Sequence, residues 1–133
     1  MTKTIQVRQA TQARAVQVAE DWGTLNWLAS EALMGTKGQT LGRVTIRKGK
    51  HNPRHRHNRS EEVLYLLSGR LRHTVGDGSV ILEPGDTLLI PAGVFHNAFS
   101  IGDEDAEMIV AYPTAQRDFE PESPAARPDN APR

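Results

Sequence analysis

His55 and His57 are separated by one residue in a polar stretch that runs from Gly49 to Glu62, just ahead of the apolar run Val63-Leu64-Tyr65-Leu66-Leu67. On an extended chain successive side chains point to opposite sides, so residues two apart send their imidazoles the same way. That is a chelating arrangement for a metal ion. Glu62 opens the apolar run, where an ionised carboxylate is costly unless a cation or a hydrogen-bond network takes it up. Glu61 competes for the carboxylate role, but neighbours on a strand face oppositely. A further candidate, His96, closes the segment Gly85-Asp86-Thr87-Leu88-Leu89-Ile90-Pro91-Ala92-Gly93-Val94-Phe95-His96. The chain has no cysteine, which excludes disulfides, thiolate ligands and cysteine nucleophiles and leaves an ion only nitrogen and oxygen donors.

These spacings resemble the two motifs of the cupins. The first, G-x5-H-x-H-x4-E-x6-G, is met by Gly49, His55, His57, Glu62 and Gly69. The second, G-x5-P-x-G-x2-H-x3-N, is met by Gly85, Pro91, Gly93 and His96, with Ser100 in the closing Asn position. The resemblance implies an all-β cupin jelly-roll β-barrel in which His55, His57, Glu62 and His96 are the metal ligands. Glu62, seven residues before Gly69, is the carboxylate that fits the pattern. Three imidazoles and one carboxylate leave two positions open on a six-coordinate divalent ion, unlike a closed structural site. Fe or Mn is favoured as the cofactor, with Ni, Co, Cu or Zn admissible on the same donors.

The elements that must position these residues are short. Leu25 to Ala29 reads as the first firm strand, with Trp22 and Trp27 as packing anchors. Thr40 to Lys48 alternates through Leu41, Val44 and Ile46, and Val63 to Leu67, apolar on both faces, predicts a strand covered on both sides, by the barrel on one face and a second subunit on the other. Gly76-Asp77-Gly78-Ser79 joins Leu71–Val75 to Val80–Leu82 as a hairpin, and Glu107–Tyr112 is the last strand. Strands punctuated by Gly, Pro and Asp argue for a sandwich or barrel. The expected organisation is an N-terminal arm over 1–22 with edge strands at Ile5/Val7 and Val16/Val18, a barrel over 23–112, and a tail over 113–133. That tail holds five of the eight prolines, and its last dozen residues are expected to be disordered.

Within the barrel, His73 shares a face with Leu71 and Val75; it reads first as a half-buried packing histidine and second as a lumen residue outside the ligand set or in contact with substrate. Phe95, like Phe99, Tyr65 and Tyr112, reads first as core, with a place beside His96 as a pocket wall for its second reading. Arg54 and Arg56 alternate with the histidine pair and should point away from it, and His51 should be exposed. Sixteen Lys and Arg balance sixteen Asp and Glu, so no nucleic-acid or membrane-surface partner follows from charge. No apolar segment of signal-peptide or membrane-span length is present, and a cytoplasmic location is the expectation. The partner expected is a small-molecule substrate or ligand. The resemblance also implies pairing through the sheets as a homodimer, and an enzyme that uses its metal on a small oxygenated molecule. A dioxygenase of a diketone, phenolic or keto-acid substrate comes first, then a lyase or sugar or keto-acid isomerase, then a non-catalytic binding or sensor barrel. No Ser-His-Asp arrangement or phosphate loop appears.

Overall fold

A computed structural model describes residues 4–123 of the chain. Among them are two short helices, α1 (Ala10–Ala15) and α2 (Glu31–Met34), and the strands β1 (Val18–Glu20), β2 (Gly23–Ala29), β3 (Thr40–Ile46), β4 (His55–Arg56), β5 (Glu62–Ser68), β6 (Leu71–Val75), β7 (Gly78–Leu82), β8 (Thr87–Ile90), β9 (His96–Ser100), β10 (Ala106–Tyr112) and β11 (Glu120–Pro121). They form two sheets, ordered β1-β2-β3-β10-β5-β8 and β11-β4-β9-β6-β7, and all their pairings are antiparallel. This is an all-β jelly-roll barrel.

Alternation decides which side chains enter it. Along β3 the buried positions are Thr40, Gly42, Val44 and Ile46, and along β10 they are Ala106, Met108, Val110 and Tyr112. These two strands lie in register, Ala106 opposite Ile46 and Tyr112 opposite Thr40, so their inward faces merge. Leu64 and Leu66 of β5, Leu71 of β6, Leu82 of β7 and Ala98 of β9 complete a core shared by both sheets. Gly69, which closes the first motif, has φ +83°, and a Cβ there would stand 2.6 Å from the Asp105 carbonyl oxygen and from Ala106 Cα. Only glycine fits that turn.

Several expectations are corrected in detail. The Ile5/Val7 piece is not a strand, and the polar Gln-Ala-Thr-Gln-Ala-Arg stretch beside it contains the helix α1, held by a capping box between Gln9 and Gln12. Alanine-rich sequence favours that helix, whereas two isolated apolar residues bury too little to hold an edge strand. Helix α2 lies where the sequence predicts no element; Ser30 Oγ accepts the Leu33 N–H at 3.2 Å and Gly35 ends it in the left-handed region. The hairpin between β6 and β7 has Gly76-Asp77 at its tip, because Val75 pairs with Gly78. Within the single chain strand β5 is covered on its barrel face, where Leu64 and Leu66 are buried, while Val63, Tyr65 and Leu67, on the face expected to meet a second subunit, are 38%, 43% and 38% exposed. Residues 113–123 fold back on the barrel and end in β11, paired to β4. The last dozen residues, where disorder is expected, fall almost wholly outside the described part of the chain. Among the described residues no helix is long and apolar enough to cross a membrane.

Candidate metal centre

Strand pairing places the first two histidines from different motifs side by side. His55 on β4 is the register partner of His96 on β9, and His57 follows two residues after His55 on the same side. Gly93 N–H donates to the His57 carbonyl at 2.8 Å, tying the loop before His96 to the end of the first motif; its φ of +79° suits glycine. Asn52 adds a second tie, its Oδ1 accepting the Ala98 N–H at 2.8 Å while Asn97 Nδ2 donates to its carbonyl at 3.0 Å. Strand β9 continues regularly through Ser100.

The result is one group of three buried imidazoles, His55, His57 and His96, each offering a ring nitrogen within 4.8 Å of the others. Glu62 approaches from the opposite sheet. Its Oε1 lies 3.3 Å from His57 Nε2 and 3.4 Å from His96 Nε2, and all three side chains are nearly inaccessible. Glu61, its neighbour, is exposed. Each imidazole is oriented by a carbonyl that faces Nδ1: Pro53 for His55 at 2.8 Å, Val94 for His96 at 2.9 Å and Asp118 for His57 at 2.5 Å. Nδ1–H must therefore donate, and each neutral ring turns a bare Nε2 lone pair toward the centre.

That arrangement sets acceptor against acceptor. His57 Nε2, His96 Nε2 and Glu62 Oε1 are buried without a hydrogen-bond partner. Burial pushes the His55 pKa well below its ordinary value, and the neighbouring His96 and His57 push the same way. For Glu62, burial works upward, but the His57 and His96 imidazoles facing its carboxylate outweigh it and hold the carboxyl well below the usual range. An ionised carboxylate facing bare nitrogens in an enclosed space needs a cation between them. The donor set, three imidazoles and a carboxylate, suits a divalent transition metal.

A cavity of about 50 Å³ adjoins the centre, lined by His55, Glu62, His73 and His96 together with Trp22, Trp27, Leu64, Met108 and Tyr112. His73 lies in the lumen, its ring stacked on His96 at 5.8 Å; burial, foremost, lowers its pKa to about 4. Phe95 is not on the cavity wall. It faces outward under the Arg56 guanidinium, 4.4 Å from the ring, because it precedes the inward-facing His96 by one residue. Arg54 and Arg56 point away from the centre and pair with Glu122 and Glu120. His51 is exposed and stacks on Phe99. Trp27 is buried in the core and also lines the cavity.

Sequence reading missed the segment that closes the cavity. Phe119 stacks on His55 at 4.7 Å with the rings 25° apart, Arg117 is 2% exposed with its guanidinium 4.2 Å from the Trp27 ring, and both line the cavity. They stand in the proline-rich tail, ahead of the last dozen residues for which composition predicts disorder. The legible signal was the run of acids Asp118, Glu120 and Glu122, every second residue, opposite the alternating arginines Arg54 and Arg56.

The family model for the cupin domain matches residues 42–112, more than half of the chain. The chain belongs to the cupin family. Among curated proteins, this cupin is 30% identical over 87 residues to polyketide synthase CurC of Streptomyces cyaneus, across 65% of this chain and 56% of that one. It is 32% identical over 85 residues to oxalate oxidase GF-2.8 of Triticum aestivum, across 58% and 38%. The cupin thus spans about half or less of these relatives' length. Among solved structures it superposes on oxalate decarboxylase from Bacillus subtilis with a TM-score of 0.77 at 19% identity, covering 84% of this chain and 31% of that one. An oxalate oxidase gives 0.71 at 23% identity, covering 78% and 57%. At these identities the structural likeness is one of fold. The family match contains His55, His57, Glu62 and His96 and stops before Arg117, Asp118 and Phe119.

Proposed function

We propose that this cupin holds a divalent transition metal ion on His55, His57, His96 and Glu62 and acts as a metal-dependent enzyme on a small oxygenated molecule. One observation carries the proposal: buried Nε2 and Oε1 atoms that face one another with no donor between them. Fe or Mn is the proposed native ion, with Ni, Co, Cu or Zn admissible. When bound, the ion supplies Lewis acidity or redox chemistry toward oxygen donors.

The chain's own residues set the rest. A cavity of about 50 Å³ holds only a few water-sized groups, each needing roughly 10–15 Å³ on the same measure. It therefore suits a keto acid, diketone or small dicarboxylate better than a phenol. Leu64, Met108 and Phe119 give it apolar walls. His73 donates Nδ1–H to the Thr74 carbonyl at 2.9 Å, which leaves Nε2 to accept a hydrogen bond from a substrate hydroxyl. Its lowered pKa keeps it neutral near pH 7. The oxalate named in the relatives supports placing two- to four-carbon acids first among substrates. Oxidation with dioxygen is the first reaction proposed; carbon–carbon lysis or isomerisation is the second.

The test is anaerobic reconstitution with Fe(II) or Mn(II), followed by dioxygen uptake and carbon dioxide release on a panel of small keto acids, diketones and dicarboxylates. Metal-dependent turnover that vanishes in His96→Ala is the expected result. Saturable binding with no turnover across the panel would assign the barrel to ligand binding instead.

The same proposal includes a homodimer formed through the outer face of the larger sheet. Its support is a run of exposed apolar side chains on adjacent strands: Val63, Tyr65 and Leu67 of β5 and Leu89 of β8, with Val63 opposite Leu89. Sedimentation at micromolar concentration checks it, a monomer being the adverse result.

A further inference from the structure

Two of the three imidazoles are oriented by their own loops. His55 and His96 each use the carbonyl two residues earlier in the chain. His57 differs, because its Nδ1 meets the carbonyl of Asp118, 61 residues away. The third ring of the centre is thus set by a segment outside the family match, and that segment is held down by separable contacts. At its near end Thr40 Oγ1 donates to the Thr114 carbonyl at 2.7 Å and Glu31 N–H to the Ala115 carbonyl at 3.1 Å. At its far end the β11–β4 ladder is two residues long, extended by Glu122 N–H to the Arg54 carbonyl at 3.0 Å. Between them the Asp118 carboxylate accepts the N–H groups of Asn58 at 2.7 Å and Arg59 at 3.2 Å.

We infer that residues 114–122 form a strap whose docking and the centre's metal affinity are coupled, with Asp118 as the positioning residue. The inference rests on the proposed three-imidazole metal centre. Docking fixes the tautomer and tilt of His57, as the outer hydrogen-bond partner of a metal-bound imidazole does, and loss of such a partner costs about 10- to 100-fold in affinity. Coupling of this kind is reciprocal, so an ion at the centre must hold the strap down by the same factor. The Asp118 side chain acts at one remove: by pinning the two amides that follow His57, it places its own carbonyl against Nδ1. Undocking would also withdraw Phe119 from His55 and Arg117 from Trp27, opening the cavity on the side of β4.

Arg117 supplies a direct readout. It is buried while the strap is docked, and the Arg117–Asp118 bond is a trypsin site that cleavage reaches only when the strap lifts. Arg14, exposed on α1, is an internal control. Limited trypsinolysis of the full chain with saturating Mn(II), against the EDTA-treated chain, should slow cleavage after Arg117 at least about tenfold and leave cleavage after Arg14 unchanged. In parallel, Mn(II) Kd should rise about 10- to 100-fold in Asp118→Ala and recover most of that loss in Asp118→Asn, which keeps an acceptor oxygen. Wild-type chain that binds Mn(II) but is cut after Arg117 equally fast with and without it overturns the coupling and leaves the metal centre standing. An Asp118→Ala chain with wild-type Kd does the same for the positioning role. Wild-type chain that binds no Mn(II), Fe(II), Co(II) or Zn(II) overturns both the centre and the strap.

Discussion

The two ends of this barrel are built from opposite materials. At one end Ile46, Leu66, Leu71 and Ala106 are fully enclosed. At the other, where β4 meets β9 and β5 begins, the enclosed atoms are imidazole nitrogens and a carboxylate oxygen, three of them without a partner. Burying apolar surface stabilises by about 25 cal/mol per Å², whereas leaving a buried polar group unmet costs about 1–3 kcal/mol. The same strands span both ends. The apolar end must therefore supply the stability that lets the polar end keep its unsatisfied atoms facing one another, ready for a cation.

Four outcomes break or sharpen that contrast. Leu66→Ala should cost about 2–5 kcal/mol in urea denaturation while leaving Mn(II) affinity within twofold; an equal loss of affinity would mean that the two ends are not separable. Acid should act at the other end. Folded His73 takes up a proton only near pH 4, and burial depresses His55 also, whereas an unfolded histidine does so near pH 6.5. Between those values the unfolded chain binds more protons, so metal-free protein should lose stability as pH falls from about 6.5 to about 4. His73→Gln should shrink that loss by up to about 3 kcal/mol; acid limbs of equal slope would refute the assignment.

Next in size, His96→Ala should weaken metal binding at least about a hundredfold, roughly 2.7 kcal/mol, and leave the melting temperature of the metal-free chain within a few degrees. A collapse of the fold would show that the polar end is structural. Smallest of all, Arg43→Ala on the outer face of the larger sheet removes a pair with Glu107 at 3.2 Å, both partners being more than a third exposed. It should change stability by less than about 1 kcal/mol and metal affinity not at all, as denaturation and metal titration in parallel would reveal.

The barrel was legible because strand alternation and turn chemistry are local. Val44 and Ile46 declare an inward face by their spacing, and His55, His57, Glu62 and His96 fall at family intervals that carry them to one point. Helix α2 was not legible, since four residues cannot display a helical period. Phe95 was misplaced as a cavity wall because adjacency to His96 in sequence means the opposite side of a strand. Phe119 and Arg117 escaped because their burial depends on a return of the chain across more than sixty residues, within a tail whose sequence shows no strand or helix period.

Sequence alone determined the all-β class and the placing of His55 and His57 on one side of the chain, since turn chemistry and the period of two along a strand need no distant partner, and the family spacing set Glu62 and His96 beside them. Only the tertiary structure decided that Glu62 meets His57 and His96 from the opposite sheet, that every Nδ1 is taken by a carbonyl, and that Asp118 supplies one of them. Those facts depend on register and on the path of the returning chain, and neither is set by residues next to one another.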